Sequence, residues 1–110
     1  MTATPFNPMY GGNIRVTVLG TPTEASITPG TGSLRIVHEG VGGSAIVAVK
    51  IFASTDVGTT PVSAKDIIVL PATSVIVKKP IDADRVQYTQ LVGTGTAPLI
   101  NIQPGEGGVL

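Results

Sequence analysis

The chain has 110 residues, no formal net charge and only 13% charged side chains, against roughly 25% in an average soluble domain. This length supports one small domain, and the lack of a basic excess argues against binding driven by nucleic-acid phosphates. Because cysteine is absent, disulfides, thiolate metal sites and cysteine nucleophiles are excluded. A surface with so few charges is in large part apolar, and we expect other subunits to cover some of it.

The first twelve residues, Met1–Gly12, contain proline and glycine breaks without alternation, which predicts an extended arm. Two of the four aromatic side chains, Phe6 and Tyr10, lie in this segment. A disordered arm would be polar, so we expect this one to dock, either across its own domain or onto a neighbouring subunit. The interaction residues predicted here are Phe6, Pro8, Met9 and Tyr10.

The rest of the chain is rich in β-branched residues, with 14 valines, 11 isoleucines and 14 threonines, and glycine and proline interrupt it repeatedly. Short alternating segments between these breaks predict eight strands. In chain order they are Ile14–Leu19, Thr23–Ile27, Ser33–Glu39, Ser44–Ala53, Asp66–Leu70, Thr73–Lys79, Asp84–Val92 and Ala97–Ile102. Seven or eight short strands predict an all-β fold, a small antiparallel β-sandwich whose strand order is jelly-roll or immunoglobulin-like.

The segments between strands carry more specific predictions. We expect the Gly20–Pro22 turn to bring the second strand back as a partner of the first, and Gly40–Gly43 to form a hairpin turn. The segment Ser44–Ala53 has apolar residues on both faces, which is typical of a central strand. Loops as long as the polar segment Ser54–Lys65 are uncommon unless they serve function or assembly.

The chain closes with NIQPGEGGVL. A glycine-rich loop binds phosphate where a helix begins behind it, and no helix is predicted here. Pro104 has no N–H to donate and is expected to end the last strand. We expect the apolar Val109 and Leu110 to pack back on the domain or to reach a neighbour. A tight turn with positive φ is predicted at three glycines, namely Gly105, Gly107 and Gly108.

The predicted organisation therefore has three parts, an extended N-terminal arm (1–12), a β-sandwich domain (13–104) and a C-terminal tail (105–110). The start of the chain lacks the basic and apolar regions of a signal peptide, and the absence of cysteine fits assembly in the cytoplasm. No amphipathic helix and no basic aromatic surface is predicted, so neither a membrane nor nucleic acid is expected as a partner.

Residues that could carry chemistry are few. The single histidine, His38, lies near a strand end and has no nucleophile elbow around it. In PIDADR, Asp82 and Asp84 are too few to hold calcium. They instead predict a turn in which both aspartates cap their own backbone and Arg85 neutralises them. The sequence therefore predicts no enzyme, no catalytic residue, and no metal or other cofactor.

Several motifs together resemble those of small virion proteins of phages and prophages. Leu34–Gly40 is similar to a strand of the type RIVNxG, and Ile68–Val77 to an LPAGSVEVF-like strand pair. Gly95–Gly107 is similar to a GTATLYVTPGEG-like last strand. The resemblance runs over residues 33–107 and is interrupted by the Ser54–Lys65 loop and by Lys78–Lys79, where an aromatic or apolar residue is usual.

The resemblance implies a small non-enzymatic β-sandwich of the bacteriophage virion, best matched by a capsid decoration (cement) protein. Such proteins bridge major capsid protein subunits on the outer lattice, often as trimers. The implied partners are therefore the major capsid protein and copies of this chain, on a capsid assembled in the host cytoplasm.

Two alternatives are a neck, tail or head-fibre component, and a carbohydrate-binding or adhesin module. A sugar site stacks rings on exposed aromatic side chains, and the chain has none to spare if Phe52 is part of the core.

Overall fold

The computed structural model describes residues 5–9, 11–40, 45–55, 66–92 and 97–108. In this part of the chain the structure has nine strands and no helix. The strands are β1 (Asn7–Pro8), β2 (Ile14–Thr17), β3 (Thr23–Ser26), β4 (Ser33–His38), β5 (Ile46–Phe52), β6 (Ile67–Val69), β7 (Ser74–Lys78), β8 (Arg85–Val92) and β9 (Leu99–Glu106). Within the same ranges no helix is long and apolar enough to cross a membrane.

Two antiparallel sheets face each other. In sheet A the order is β2-β9-β4-β7, and β1 pairs with the end of β9 on the same side as β2. In sheet B the order is β3-β8-β5-β6. Apart from β5 and β6, strands that are adjacent in a sheet are not consecutive in the sequence, and the order is that of a jelly roll. The predicted β-sandwich is confirmed, and of the two strand orders left open the structure has the jelly-roll one.

Each of the eight predicted strands overlaps an observed strand, because apolar residues alternate where one face of a strand is buried. The strand β5 lies between β8 and β6, which confirms that the segment Ser44–Ala53 supplies a central strand. The ninth strand, β1, lies inside the segment predicted to be an arm, and β9 extends into the segment predicted to be a tail.

The two predicted hairpins are wrong. Because β2 belongs to sheet A and β3 to sheet B, the chain crosses between sheets at the Gly20–Pro22 turn. Strands β4 and β5 also belong to different sheets, and residues 41–44 of their connection lie outside the described residues. A turn signal indicates that the chain changes direction, but it does not indicate which strand becomes the hydrogen-bonded partner.

The core lies between the two sheets and is made mainly by alternate residues of the four inner strands, with a contribution from the edge strand β6. In sheet A, Leu34, Ile36, Ile100 and Ile102 are completely buried. Burying one such side chain stabilises the fold by roughly 1.5–3 kcal/mol. From sheet B, the cluster is completed by Val47, Val49, Val69, Val86 and Tyr88.

The expectation that Pro104 ends the last strand is also wrong, since β9 continues beyond it. In the alternating ladder, the backbone groups of Pro104 point away from β4 and toward β1. The Pro104 carbonyl accepts a hydrogen bond from Met9 N at 2.7 Å, and Met9 O accepts from Gly12 N at 3.3 Å. The missing proline N–H therefore removes no hydrogen bond to β4.

Candidate assembly surfaces

The N-terminal arm lies along β9 on the side opposite β4. Asn7 is paired with Glu106, and Pro8 with Gly105. The ring of Phe6 lies close over Gly105, so that a Cβ atom added to this glycine would be 2.7 Å from Phe6 Cζ and would overlap Asn7 O. Gly105 is extended in β9, and its lack of a side chain is required by the close approach of the arm.

The predicted left-handed turn is confirmed at Gly107 and Gly108, whose φ angles are 76° and 79°, but not at Gly105. This turn brings the chain back toward Phe6. A Cβ atom added to Gly108 would be 2.8 Å from Phe6 Cβ and 3.1 Å from Ile76 Cδ1. The arm and the C-terminal turn therefore contact each other on the outer face of sheet A, the face turned away from sheet B.

The structure describes three of the six residues predicted to contact other proteins. Phe6 and Met9 are half-buried and Pro8 is exposed, and they lie together along β9. The arm thus docks on its own sandwich, which is one of the two alternatives that the sequence left open. Its contact with a second protein stays a prediction. The other three residues lie outside the described ranges: Tyr10, Val109 and Leu110.

His38 is buried at the end of β4 and has a structural environment. Gly40 N donates a hydrogen bond to His38 Nδ1 at 2.9 Å, so this nitrogen carries no hydrogen. The other ring nitrogen, Nε2, then donates to Ala45 O, also at 2.9 Å. The imidazole therefore joins the two ends of the connection between β4 and β5.

The PIDADR segment forms the predicted turn, which Ala83 N closes by donating to Pro80 O at 3.0 Å. The side chain of Lys79 stabilises this turn through hydrogen bonds to its carbonyl groups. Lys79 is 2% exposed, and its Nζ donates to Pro80 O and Ala83 O, both at 3.0 Å. Burial lowers the pKa of Lys79, while the charges of nearby carboxylates, Asp82 first, act in the opposite direction. This ammonium group stabilises a turn and faces backbone carbonyls.

Asp84 was predicted to cap its own backbone, but its main partner is Ser54. Its two carboxylate oxygens accept from Ser54 N at 2.7 Å and from Ser54 Oγ at 2.9 Å. These two donors hold the pKa of Asp84 below its usual range, and Arg85 adds a smaller effect in the same direction. Asp84 therefore anchors the start of the predicted loop Ser54–Lys65, of which residues 56–65 lie outside the described ranges.

Among the described residues, no group of three or more histidine, aspartate and glutamate side chains could hold a metal ion. The same residues enclose no pocket. The surfaces that offer unsatisfied interactions in this part of the chain are the edges of the two sheets and a few exposed apolar side chains.

Most sheet edges carry features that oppose pairing with a further strand. At the β1 edge, Pro8 has no N–H at a position where the backbone points outward. Arg15 at the β2 edge and Glu24 at the β3 edge place charges at outward-pointing positions. The β6 edge is only three residues long. These edges are poor templates for another chain.

The charge at the β2 edge is held in place by a small network. Arg15 donates from Nε and Nη2 to the two carboxylate oxygens of Glu39, at 2.6 Å and 2.8 Å. Asn101 Nδ2 donates to Glu39 Oε2 at 2.6 Å. The Arg15 guanidinium holds the pKa of Glu39 below its usual range. The network fixes the direction of the Arg15 side chain on the outer face of sheet A.

The β7 edge has one charge, Lys78, at the end of the strand and none at its centre. The hydrogen bonds that flank this strand run from His38 N to Thr73 O at 2.8 Å and from Lys79 N to Gly32 O at 2.9 Å. In an antiparallel ladder the bonded pairs alternate, so every second residue of β7 points its backbone away from β4. Within the described ranges no strand pairs with this open side. The residues whose N–H and C=O groups face it are Ser74, Ile76 and Lys78.

Two exposed apolar side chains lie on the same side of the sandwich, in β6 and in the turn that leads into β7. Leu70, in the turn between β6 and β7, is 52% exposed, and Ile68 on β6 is 36% exposed. The other large apolar side chains exposed in the described ranges are Leu19 and Ile81. None of these residues is predicted by the sequence to be an interaction site. The alternation in SVIVK predicts a strand, but alternation alone does not distinguish an edge strand from a central one.

The described chain is thus a small all-β protein with a jelly-roll order. No protein-family model and no curated protein matches it. Among solved structures it is similar to a protein of Bacillus endospore appendages, which form a family of disulfide-linked pili. The sequence identity is 13%, the TM-score is 0.45, and the alignment covers 96% of this chain and 95% of that chain. At this identity the likeness concerns the fold alone.

Proposed function

We propose that this chain is a non-enzymatic structural protein of a bacteriophage virion, a capsid decoration protein that bridges major capsid protein subunits. The observation that carries the proposal is the side of the sandwich formed by β6 and β7. There, Leu70 is 52% exposed in the turn that leads into β7, and Ile68 is 36% exposed on β6. Exposed apolar side chains of this kind mark a surface that a partner protein buries, and the capsid contact is made by these side chains.

The composition supports the same proposal. Only 13% of the residues are charged, so a partner that binds this chain has few charged side chains to desolvate. Many weak contacts of this kind add up on a repeating lattice, because a protein held by one contact meets the next at high effective concentration. The mechanism is mechanical: each copy holds neighbouring capsid subunits together.

The predicted contact of the arm with a neighbouring subunit belongs to this proposal. The arm pairs with β9 at two residue pairs and through the hydrogen bond from Met9 N to Pro104 O, and Pro8 on it is exposed. We expect a neighbouring protein to contact exposed side chains of the arm, such as that of Pro8, without adding a strand to β1.

The test is binding to shells of the major capsid protein encoded in the same gene neighbourhood. We expect the purified chain to sediment with these shells, and Leu70→Ser to weaken binding about tenfold, as loss of a buried apolar contact does. Leu19→Ser is the matched control, because Leu19 is 53% exposed in the connection between β2 and β3, on the opposite side of the sandwich.

The wild-type chain failing to sediment with the shells would overturn the decoration role. Binding instead to tail or neck particles from the same phage would favour the alternative virion position. Equal weakening by both serine variants would contradict the assignment of the binding side to β6 and β7.

A further inference from the structure

We infer that the β7 edge pairs with the β7 edge of a second copy of this chain, antiparallel about a twofold axis that passes through Ile76. The inference goes beyond the proposed function, because it concerns how two copies join in solution and does not depend on any other protein. The edge between Ser74 and Lys78 carries it.

The backbone geometry of β7 is self-complementary. Three residues direct N–H and C=O groups outward, and the central one is Ile76. A twofold axis at this residue places Ile76 opposite Ile76 of the second copy, and Ser74 opposite Lys78 of the second copy. All three pairs are then hydrogen-bonded pairs with two bonds each, so every outward backbone group of the strand finds a partner.

Other registers satisfy fewer groups. A shift of two residues in either direction leaves only two bonded pairs and places Ile76 opposite Ser74 or Lys78. A shift of one residue places each residue whose backbone faces outward opposite one whose backbone faces its own sheet, so the hydrogen bonds between copies are lost. Side chains of the outer face of one copy then lie opposite those of the inner face of the other. The register centred on Ile76 is therefore the one that the strand favours.

The side chains fit the same register. On the outer face Ile76 meets its own copy, and β-branched cross-strand pairs are favourable in sheets. The single cation of the strand, Lys78, falls opposite Ser74, so no like charges oppose each other. On the inner face Val75 falls opposite Val77, and both already pack against the core of their own sandwich. The seam is thus apolar on both faces at its centre.

The other edges do not offer this contact. The β1 edge has Pro8 at an outward position, and the β2 and β3 edges carry Arg15 and Glu24 there. Each of β2 and β3 has four residues and β6 has three, against five in β7. Of the described edges, β7 combines the greatest length with an uncharged centre.

Cysteine cross-linking tests both the contact and its register, since the natural chain has no cysteine. In the inferred dimer, residues at 76 have Cα atoms about 5.5 Å apart, within the range for a disulfide. We expect Ile76→Cys to form a disulfide-linked dimer under mild oxidation of dilute protein.

Ser74→Cys is the matched control. Ser74 lies opposite Lys78 of the second copy, so two residues at 74 are about 14 Å apart and cannot be linked. We expect this variant to cross-link at least tenfold less, although Ser74 is more exposed than Ile76. A mixture of Ser74→Cys with Lys78→Cys should cross-link in heterodimers.

Sedimentation of the cysteine-free protein gives a second measurement. We expect a dimer that Ile76→Lys weakens at least tenfold, because two like charges then meet at the axis. Thr17→Lys, which adds the same charge at the β2 edge, should leave the dimer unchanged.

A wild-type chain that stays monomeric at high concentration would overturn the inference. Cross-linking of Ser74→Cys as fast as that of Ile76→Cys would overturn the register. Neither result bears on binding to capsid shells, and a dimer that fails to bind shells would contradict only the proposed function.

Discussion

The two edges of sheet A are finished in opposite ways. On one side the chain adds its own arm to β9, and the outward positions there carry Pro8 and Arg15. On the other side β7 ends the sheet with Ile76 at the centre of an edge that no described strand covers. Proteins commonly block sheet edges with proline and charge, because open edges recruit other chains. The difference indicates which edge is closed to a further strand and which is open to one.

The largest effect is expected from Gly105→Val, which tests whether the closed edge depends on the arm. The new side chain would overlap Asn7 O and the Phe6 ring, so β1 must move away from β9. Overpacking of this kind costs about 1–3 kcal/mol, and each kcal/mol lowers the melting temperature of a domain of this size by roughly 4–8 °C. Thermal unfolding followed by circular dichroism measures it.

Gly20→Ala is the control for this prediction. No atom lies within 4 Å of a Cβ atom added to Gly20, and its φ is not in the left-handed region. We expect a change within about 0.5 kcal/mol. A Gly105→Val protein as stable as the control would show that the arm is not packed against β9.

A smaller effect is expected from Pro8→Thr, which restores an N–H group at the closed edge. Folding stability should change by less than about 0.5 kcal/mol, because Pro8 is exposed and its ladder position points outward. Self-association should rise, since the edge gains a donor and a β-branched residue. Light scattering at a series of protein concentrations measures this, with Pro5→Thr, exposed and outside the strands, as the control. Identical self-association of the two variants would show that Pro8 does not protect the β1 edge from pairing with another chain.

The smallest effect concerns the charges at the closed edge. The pKa of Glu39 is lowered in the folded protein by Arg15 from an ordinary value near 4.5. A lowered carboxyl pKa contributes stability that is fully present above the unfolded value and is lost as pH falls through the folded value. The melting temperature of the wild type should therefore exceed that of Glu39→Gln at neutral pH, and the difference should vanish in acid.

Asp84 has a lowered pKa as well and destabilises both proteins in acid in the same way, so the comparison uses the difference between them. High salt should reduce the same difference at neutral pH, because exposed ion pairs are screened. A difference that grows in acid would contradict the role given to Glu39.

Local pattern was enough to predict most strands. Segments such as Ser33–Glu39 alternate because one face is buried, and that face, with Leu34 and Ile36, is the core in the structure. The end of β9 was not predictable in the same way. Pro104 reads as a strand breaker, yet the ladder tolerates it because its missing N–H points toward the arm and not toward β4.

The candidate surface was less predictable than the strands. The arm was found from its aromatic residues and its lack of alternation, and Phe6 does contact the sandwich. The β7 edge was not found, because SVIVK has the same pattern as a central strand. Leu70 was not found either, since a single exposed leucine in a turn carries no sequence signal of its own.

By itself, the sequence determined the fold class, the position of nearly every strand and the face that each strand buries, because these depend on neighbours along the chain. Tertiary structure alone decided the jelly-roll order, the docking of the arm on β9 and the open edge at β7. Strand pairing joins residues far apart in the sequence, such as Leu34 with Pro104 and Val77. No local pattern in NIQPGEGGVL or SVIVK records which partner lies on which side.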